Sequence, residues 1–180
     1  VTPMIRTHRL LSTAIAFVCM HCVPAFAATP FTSCPTQAFI VQSPGATPIL
    51  YGIDLAIGSY STLSPDMGTS KVNGVGYSYH DDYIYGWDYG SNTLSQFGAD
   101  YQAVPLNVSG QIGKPFYVGD VSVSDNAWFG YRAGFGLYRI DLTDPMSPLV
   151  MERIATSAFM GNPTLTDMAF HPRDGFIYAV

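Results

Sequence analysis

The sequence predicts an all-β repeat protein, and three observations carry that prediction. Short runs rich in tyrosine, phenylalanine and β-branched residues alternate with Gly, Asp, Asn and Pro turns. The chain contains one glutamate, Glu152, and shows no long apolar pattern with the 3.6-residue period of a helix. Similar strand-like runs return about every 44 residues. We therefore expect repeated units of several short strands and no substantial helix.

Residues 1–27 are predicted to be a signal peptide and are set apart from the fold. A basic region at 6–9 precedes the apolar run "LLSTAIAFVCMHCV", which is shorter than the roughly 20 residues that span a bilayer. Ala25 and Ala27 supply the small-x-small pattern that signal peptidase reads, so we expect cleavage between Ala27 and Ala28. The remaining alternative is an uncleaved membrane anchor. The prediction is an exported protein, secreted, periplasmic or at the cell surface, without a membrane span in the mature chain.

The charge of the chain after this leader is acidic. Two of the eight Lys and Arg lie within residues 1–27 and all thirteen Asp and Glu lie after them, so six positive against thirteen negative charges give −7. Nucleic acids and anionic membrane surfaces are bound through basic surfaces. The balance therefore argues against both as partners.

The cysteines carry no predicted redox or metal chemistry. Cys19 and Cys22 have the C-x-x-C spacing but fall within the leader. Cys34 is then the single cysteine of the mature chain, which is unusual in an exported protein. We expect no metal and no cofactor, and a partner for Cys34 would have to lie outside this sequence.

The repeat is visible in three columns of residues, which we name A, B and C. Column C is carried by "LYGIDL" at 50–55, "TLSQFG" at 93–98 and "LYRIDL" at 137–142. The intervals are 44, 44 and 49 residues in column B, 44 and 43 in column C, and 46 and 47 in column A. The members are Ile40, Ile84, Trp128 and Ile177 in B; Leu50, Leu94 and Leu137 in C; and Val75, Val121 and Met168 in A.

Units of this length with several short strands are the signature of β-propeller blades. We predict four strands per unit: A at 73–79, 118–123 and 166–170; B at 37–42, 83–88, 127–132 and 175–180; C at 48–55, 93–98 and 135–142; D at 59–64, 101–108 and 148–155.

The first predicted unit lacks strand A and the last lacks C and D, so thirteen strands make about three and a quarter four-stranded blades. Propellers close with roughly four to eight. We therefore expect residues 28–36 to be an N-terminal segment and 37–180 an incomplete propeller, whose remaining blades belong to a longer chain. The alternative is an open array with bare sheet edges, which would not stay soluble as a monomer.

The stretches "LYRIDL", "AFHPRDGFIYAV" and "VNGVGYSYHDDYIYGW" resemble exported bacterial propeller domains. The chain is also similar to an uncharacterised family of secreted bacterial domains that often precede surface-anchored or repeat-containing regions. The resemblance covers nearly all of residues 35–180 and implies a fold and a repeat. Its positions are packing and turn positions, so it implies no ligand and no reaction.

Two polar clusters resemble catalytic or metal-binding equipment but are predicted to be turns. His171, Arg173 and Asp174 lie in "HPRDG", where Pro, Asp and Gly are the residues that a tight turn requires. The equivalent segments "HDDY" at 80–83 and "SDNA" at 124–127 keep a polar turn while the chemistry of the side chains changes. His80, Asp81 and Asp82 are metal-ligand types, but adjacent residues in a turn rarely converge on one ion.

A ligand surface is expected where the long D–A and B–C loops gather, since propellers usually bind ligands on that face. Aromatic side chains with few charges suit carbohydrate or protein contacts. The alternative is that these aromatic residues pack between blades. The candidates are Tyr89, Lys114, Phe116, Tyr117, Phe135, Phe159 and Met160.

The functional expectation is a binding, adhesion or scaffold module rather than an enzyme, with no catalytic residue assigned. The competing hypothesis is the N-terminal piece of an exported propeller enzyme whose site lies in the central channel. Its carboxylates would come from the starts of the A strands, where Asp120 and Asp167 are the candidates.

Overall fold

The computed structural model describes residues 28–32 and 37–180, and this part of the chain contains β-strands and no helix. No helix long and apolar enough to cross a membrane occurs in these ranges. The predicted signal peptide with its cleavage residues Ala25 and Ala27, and Cys34, lie outside the described residues. The strands are β1 (Ala38–Gln42), β2 (Ile49–Ile53), β3 (Tyr60–Ser64), β4 (Val72–Ser78), β5 (Tyr83–Asp88), β6 (Thr93–Phe97), β7 (Ala103–Pro105), β8 (Val108–Ser109), β9 (Val118–Ser122), β10 (Ala127–Arg132), β11 (Gly136–Asp141), β12 (Leu149–Thr156), β13 (Met168–Phe170) and β14 (Ile177–Ala179).

The strands form four sheets that follow one another along the chain. Sheet 1 is β1-β2-β3, sheet 2 is β4-β5-β6-β7, sheet 3 is β9-β10-β11-β12 with β8 added, and sheet 4 is β13-β14. Successive strands within each sheet pair antiparallel, and β8 pairs parallel with β12. The all-β prediction is confirmed, and each of the thirteen predicted strands has a counterpart. The fourteenth strand, β8, corrects the prediction that residues 101–108 form a single D strand.

The pairing register corrects the predicted alignment of the A strands. Ile84 pairs with Tyr77, Trp128 with Val121, and Ile177 with Phe170. Column A is therefore Tyr77, Val121 and Phe170, at the same intervals of 44 and 49 residues as the last three members of column B. The predicted members Val75 and Met168 are each two residues too early. A shift of two keeps every side chain on the same face of a strand, so alternation alone cannot detect it.

Three hydrophobic clusters hold the sheets together, one at each junction between neighbouring sheets. Strand alternation supplies them, because Ile84 faces sheet 1 while Tyr85 and Trp87 on the same strand face sheet 3. The buried members are Leu50, Met67, Val72, Ile84 and Phe97 between sheets 1 and 2; Tyr85, Trp87, Leu94, Val108, Phe116, Val121, Trp128, Tyr138, Ile140, Leu142, Leu149 and Met151 between sheets 2 and 3; and Val118, Ala127, Phe129, Tyr131 and Met168 between sheets 3 and 4.

The turns between the first two strands of sheets 2, 3 and 4 share one backbone feature. A residue at the end of each turn has a positive φ: 59° at Asp82 and 45° at Asn126, each directly before its strand, and 72° at Gly175, two residues before β14. Asp, Asn and Gly are the residues that adopt this region most readily. The stretch from His171 to Gly175 is closed by the bond from the Gly175 N–H to the His171 carbonyl, at 3.0 Å. The prediction that "HPRDG" is a turn is confirmed.

Residues 28–32 are attached to sheet 2. The Ala28 carbonyl accepts a hydrogen bond from the Tyr83 hydroxyl at 2.7 Å, and the Thr29 carbonyl accepts one from the Ala99 N–H at 2.7 Å. The Phe31 ring lies 5.8 Å from the rings of Phe39 and Tyr101. The segment that directly follows the predicted cleavage position is thus part of the packed structure.

Candidate functional site

The predicted ligand face contains a surface patch at the junction of sheets 2 and 3. Two tyrosines contact Lys71 and Arg132 there, and the charge of Lys114 acts on the same place, so that four separate parts of the chain contribute. We call this group the tyrosine–cation patch: Lys71, Tyr89, Lys114, Tyr117 and Arg132.

The base of the patch is set by the buried carboxylate of Asp88 at the end of β5. It accepts hydrogen bonds from the Gly90 N–H at 2.7 Å, from the Ser91 hydroxyl at 2.8 Å and from the Ser95 hydroxyl at 3.2 Å. The Thr69 hydroxyl donates to the same carboxylate. Because Thr69 precedes β4 while the other three donors follow β5, Asp88 ties the two loops on either side of Tyr89 together.

Tyr89 is held by its backbone and by its hydroxyl. Its N–H donates to the Lys71 carbonyl at 2.9 Å. Its hydroxyl accepts from the Asn73 amide at 3.1 Å and lies 3.3 Å from the Phe116 carbonyl, to which it donates. These bonds connect the turn after β5 with the linker before β9. The half-buried ring is therefore fixed in place.

Phe116 anchors the neighbouring linker from below. Its side chain is wholly buried, with its ring 4.8 Å from that of Trp87 and 5.4 Å from those of Trp128 and Tyr138. The next residue, Tyr117, points outward and is 53% exposed. Phe116 therefore packs between the sheets, which is the alternative that the sequence left open, and Tyr117 is the member of the pair that faces solvent.

The upper part of the patch is a stack of aromatic rings and cations. The Arg132 guanidinium lies 4.2 Å from the centre of the Tyr117 ring and donates to the Pro115 carbonyl at 2.9 Å. The Tyr117 and Tyr89 rings are 6.0 Å apart at 46°. The Lys71 ammonium lies 5.5 Å from the centre of the Tyr89 ring. These distances are within the range of cation–π attraction.

The electrostatics of the patch are set by its cations. Hydrogen bonding and charge from the Arg132 guanidinium lower the pKa of the Tyr117 hydroxyl, and the charges of Lys71 and Lys114 act in the same direction. Burial raises the pKa of Tyr89, which remains a neutral hydrogen-bonding group at neutral pH. The patch therefore favours negative charge at its exposed end.

The cations of the patch are not neutralised by acidic neighbours. Within residues 28–32 and 37–180 the ion pairs are Arg139–Asp141 and His171–Asp174, and neither involves the patch. Six Lys and Arg follow residue 27, and three of them act at this patch without a carboxylate partner among the described residues. The net charge of the chain after residue 27 is nevertheless strongly negative.

The remaining aromatic candidates are placed differently. Phe135 lies in the turn after β10, where its N–H bonds to the Arg132 carbonyl at 3.0 Å, and its side chain is 36% exposed. Phe159 lies in the linker after β12 and is 86% exposed. Met160 packs against the cluster between sheets 3 and 4. Phe135 thus borders the patch through the backbone, whereas Met160 belongs to the core.

Asp120 and Asp167, the channel candidates, do not occupy equivalent positions. Asp120 pairs across the sheet with Phe129, and the corresponding residue of sheet 4 is Ala169. The Asp120 carboxylate accepts from the Phe170 N–H at 2.9 Å and from the Val121 N–H at 2.8 Å. Burial raises its pKa, the two N–H bonds oppose that rise, and Asp167 adds to it. Asp120 therefore links β9 of sheet 3 with β13 of sheet 4, whereas Asp167 is exposed.

The side chains of His80, Asp81 and Asp82 each bond to a different partner and do not converge on one point. The His80 ring bonds to the Val123 carbonyl at 2.8 Å. Asp81 accepts from the Tyr85 hydroxyl at 2.5 Å, and Asp82 accepts from the Tyr77 hydroxyl at 2.7 Å. In the described part of the chain no three His, Cys, Asp or Glu side chains form a group that could hold a metal ion.

Sequence reasoning missed Lys71, Asn73 and Arg132 as members of the site. Arg132 ends the predicted strand B at 127–132, and Lys71 lies in the predicted loop at 65–72, where neither basic residue carries a distinctive signal. The signal that the sequence did offer was the small number of basic residues. Only six Lys and Arg follow residue 27, so each of them could have been considered as a site candidate.

The fold and the patch define the chain as an all-β protein of successive small sheets with a cationic, aromatic surface at one inter-sheet junction. No protein-family model and no curated protein sequence matches it. Among solved structures it is similar to the crystal structure of TolB from Acinetobacter baumannii, with 13% sequence identity and a TM-score of 0.44. That alignment covers 80% of this chain, which spans 37% of the TolB chain. The function is therefore argued from the patch itself.

Proposed function

We propose that the protein is an exported binding module of β-propeller type, and that its ligand binds at the tyrosine–cation patch. In this proposal the four sheets are blades, and a longer chain supplies the remaining ones. The ligand is a carbohydrate or a protein, and the role is recognition, adhesion or scaffolding rather than catalysis.

The observation that carries the proposal is the gathering of unpaired cations around two adjacent tyrosines. Aromatic rings and arginine are enriched in binding surfaces because they offer large contact areas and directional hydrogen bonds. Here Tyr89 and Arg132 are already fixed by backbone contacts at 2.9 Å. A surface fixed before binding loses less conformational entropy when the ligand arrives.

The enzymatic alternative is supported by fewer observations. Its strongest candidate, Asp120, has both carboxylate oxygens engaged by backbone N–H groups. A general acid or base needs a proton that a substrate can reach. The carboxylate of Asp120 instead joins two strands, so we favour binding.

The test compares the full chain with Tyr117→Ala on printed arrays of oligosaccharides and of peptides. Tyr117 is half exposed, so its loss leaves the core intact, and Tyr60→Ala removes a 74% exposed tyrosine of sheet 1 as the matched control. We expect the wild type and Tyr60→Ala to bind the same members of an array, and Tyr117→Ala to lose them. Equal binding by Tyr117→Ala, or no binding by the wild type on either array, contradicts the proposal.

Export is tested separately by the mass of the chain that a bacterial host releases. The attachment of residues 28–32 to sheet 2 supports a boundary at this point, because Ala28 and Thr29 already contribute hydrogen bonds to the fold. We expect the released chain to begin at Ala28. A chain that keeps residues 1–27 and stays with the membrane would contradict export by cleavage.

A further inference from the structure

We propose that the ligand of the tyrosine–cation patch is a saccharide that carries an isolated carboxylate on otherwise neutral sugar rings. This inference rests on the proposed function, because it names the chemical class that the same surface takes. Its three requirements are a platform for a sugar ring, cations free to meet a carboxylate, and a reason for the charge to be isolated.

The platform is provided by Tyr117 and Tyr89. A sugar ring has an apolar C–H face that lies against aromatic rings, and polar edges that take hydrogen bonds. The Tyr117 side chain remains 53% exposed although the Arg132 guanidinium lies against it. The Tyr89 ring, 6.0 Å away and tilted by 46°, forms the second wall of a shallow corner. A ring seated on Tyr117 can therefore extend its hydroxyl groups toward Tyr89.

The cations are available because no carboxylate of the described residues forms an ion pair with them. Within the residues that the structure describes, Lys71, Lys114 and Arg132 form no ion pair. The guanidinium of Arg132 donates to the Pro115 carbonyl and to the Tyr117 hydroxyl, and a guanidinium has five N–H donors, so others remain for a ligand. Hydrogen bonds between charged partners are roughly twice as strong as neutral ones. A carboxylate at the edge of the seated sugar meets this requirement.

The overall charge selects a ligand with sparse charge. Six Lys and Arg against thirteen Asp and Glu follow residue 27. A densely charged polyanion would reach past the three cations and be repelled by the negative charge of the rest of the protein. The screening length at physiological salt is about 8 Å, which confines the attraction to the immediate surroundings of the patch. An isolated carboxylate gains this local attraction without the wider repulsion. Single-stranded nucleic acid, which also stacks on aromatic rings, does not.

The experiment is an NMR titration of the full chain with sialyllactose and with lactose. The two differ by one acidic sugar, so the comparison measures what that sugar adds, and the salt dependence separates the share of its carboxylate from that of the extra ring. A xylo-oligosaccharide with one glucuronic acid branch and its unbranched counterpart form a second pair. We expect each acidic probe to bind about tenfold or more tightly than its neutral counterpart, as one charge-assisted hydrogen bond requires.

Three variants separate the contributions. Tyr117→Ala should weaken both members of a pair by about tenfold, because it removes the platform. The double variant Lys71→Gln/Lys114→Gln should reduce the preference for the acidic probe and leave the part that Arg132 supplies. Raising the salt from about 50 to about 300 mM should weaken binding of the acidic probe more in the wild type than in the double variant. Arg153→Gln/Arg173→Gln changes the net charge by the same amount at two exposed positions and should bind like the wild type.

Each contrary result has a distinct meaning. Equal affinity for acidic and neutral saccharides, or loss of binding in the Arg153→Gln/Arg173→Gln control as well, overturns the acidic-sugar inference and leaves the binding function standing. If the protein binds peptides on the array and no saccharide, the acidic-sugar inference is likewise overturned and the binding function stands. If Tyr117→Ala binds saccharides as well as the wild type does, the ligand does not bind at the tyrosine–cation patch. If the wild type binds neither saccharides nor peptides, both proposals are overturned.

Discussion

Asp88 shows how one buried carboxylate can organise a surface site. The side chain is 2% exposed, and it accepts bonds from three hydroxyl groups and one backbone N–H. Removing such an acceptor leaves its donors buried without partners, and that desolvation is the larger part of the cost. Tyr89 is the next residue along the chain, and its position depends on this network.

We expect Asp88→Ala to lower the free energy of unfolding by about 2–3 kcal/mol, because the buried Ser95 hydroxyl loses its acceptor. Urea unfolding measures the change. Asp144→Ala is the matched control, since Asp144 accepts from the Ser147 hydroxyl in an exposed turn and should change stability by less than about 0.5 kcal/mol. Equal losses in both variants would mean that Asp88 acts only as a turn residue.

Because the pKa of Asp120 is raised in the folded protein, the stability of the fold should depend on pH. Burial lifts the pKa above its usual value of 3.8, so between that value and the higher folded pKa the folded state holds a proton that the unfolded state has lost. Stability from this group is therefore fully present below 3.8 and is lost as the pH rises through the folded pKa.

We expect the free energy of unfolding of the wild type, relative to Asp120→Asn, to decline as the pH is raised from acid and to level off near neutrality. Urea unfolding of the wild type and of Asp120→Asn at a series of pH values measures the difference. A relative stability that instead rises with pH would show that the two N–H bonds to the carboxylate outweigh its burial.

At the scale of the elements, the junction of sheets 2 and 3 has the largest buried hydrophobic cluster in the described part of the chain. The Trp128 ring is wholly buried and donates to the Gly74 carbonyl at 2.8 Å. Gly130 follows it on β10, where an added methyl group would overlap the Trp128 ring and lie 2.9 Å from the Phe116 ring. Protein interiors transmit such a displacement because they have few voids.

We expect Gly130→Ala to destabilise the protein by about 1–3 kcal/mol through overpacking. Because Phe116 anchors the linker that carries Tyr117, the same variant should also weaken ligand binding at the patch. Gly45→Ala, in an exposed loop with no atom within 4 Å of the added carbon, should change neither property. Thermal unfolding and the NMR titration report the two effects, and a Gly130→Ala protein as stable as the wild type would contradict the packing argument.

Existence of the elements was predictable from the sequence, whereas the register of the inner strands was not. Aromatic and β-branched runs between turn residues predicted each of the thirteen strands. The A column was misplaced by two residues at Val75 and Met168, because a two-residue shift leaves the alternation unchanged. The turn residues Asp82, Asn126 and Gly175 held the missing information, since their spacing of 44 and 49 equals that of the correct column.

The candidate site was predictable in part for a related reason. Tyr89, Lys114 and Tyr117 stand in loops on the predicted face, and the structure gathers them. The sequence could not separate Phe116 from Tyr117, because the direction of each side chain depends on where the linker joins β9. Arg132 and Lys71 reach the patch through tertiary packing of sheets 2 and 3, which no local pattern encodes.

For the whole molecule, stability should be distributed according to how many neighbours each sheet has. Among the residues that the structure describes, sheets 2 and 3 pack against a neighbour on both faces, whereas sheets 1 and 4 do so on one. The uncovered face of sheet 1 exposes Ile40 and Tyr60, and sheet 4 exposes Phe176 and Tyr178. In stacked repeat structures each unit gains its stability chiefly from contacts with the adjacent ones.

Hydrogen exchange tests this distribution directly. We expect the backbone amides of β5, β6, β10 and β11 to exchange more slowly than those of β1, β2, β13 and β14, because local opening of a sheet packed on one face costs less free energy. Mass spectrometry of peptic fragments gives the comparison, repeated over a range of protein concentrations. If β1 and β2 were as protected as β5 and β10 at every concentration, the outer sheets would have to be stabilised by something other than their neighbours. Protection that rises with concentration in β1 and β2 alone would instead identify the exposed face of sheet 1 as a place where copies of the chain associate.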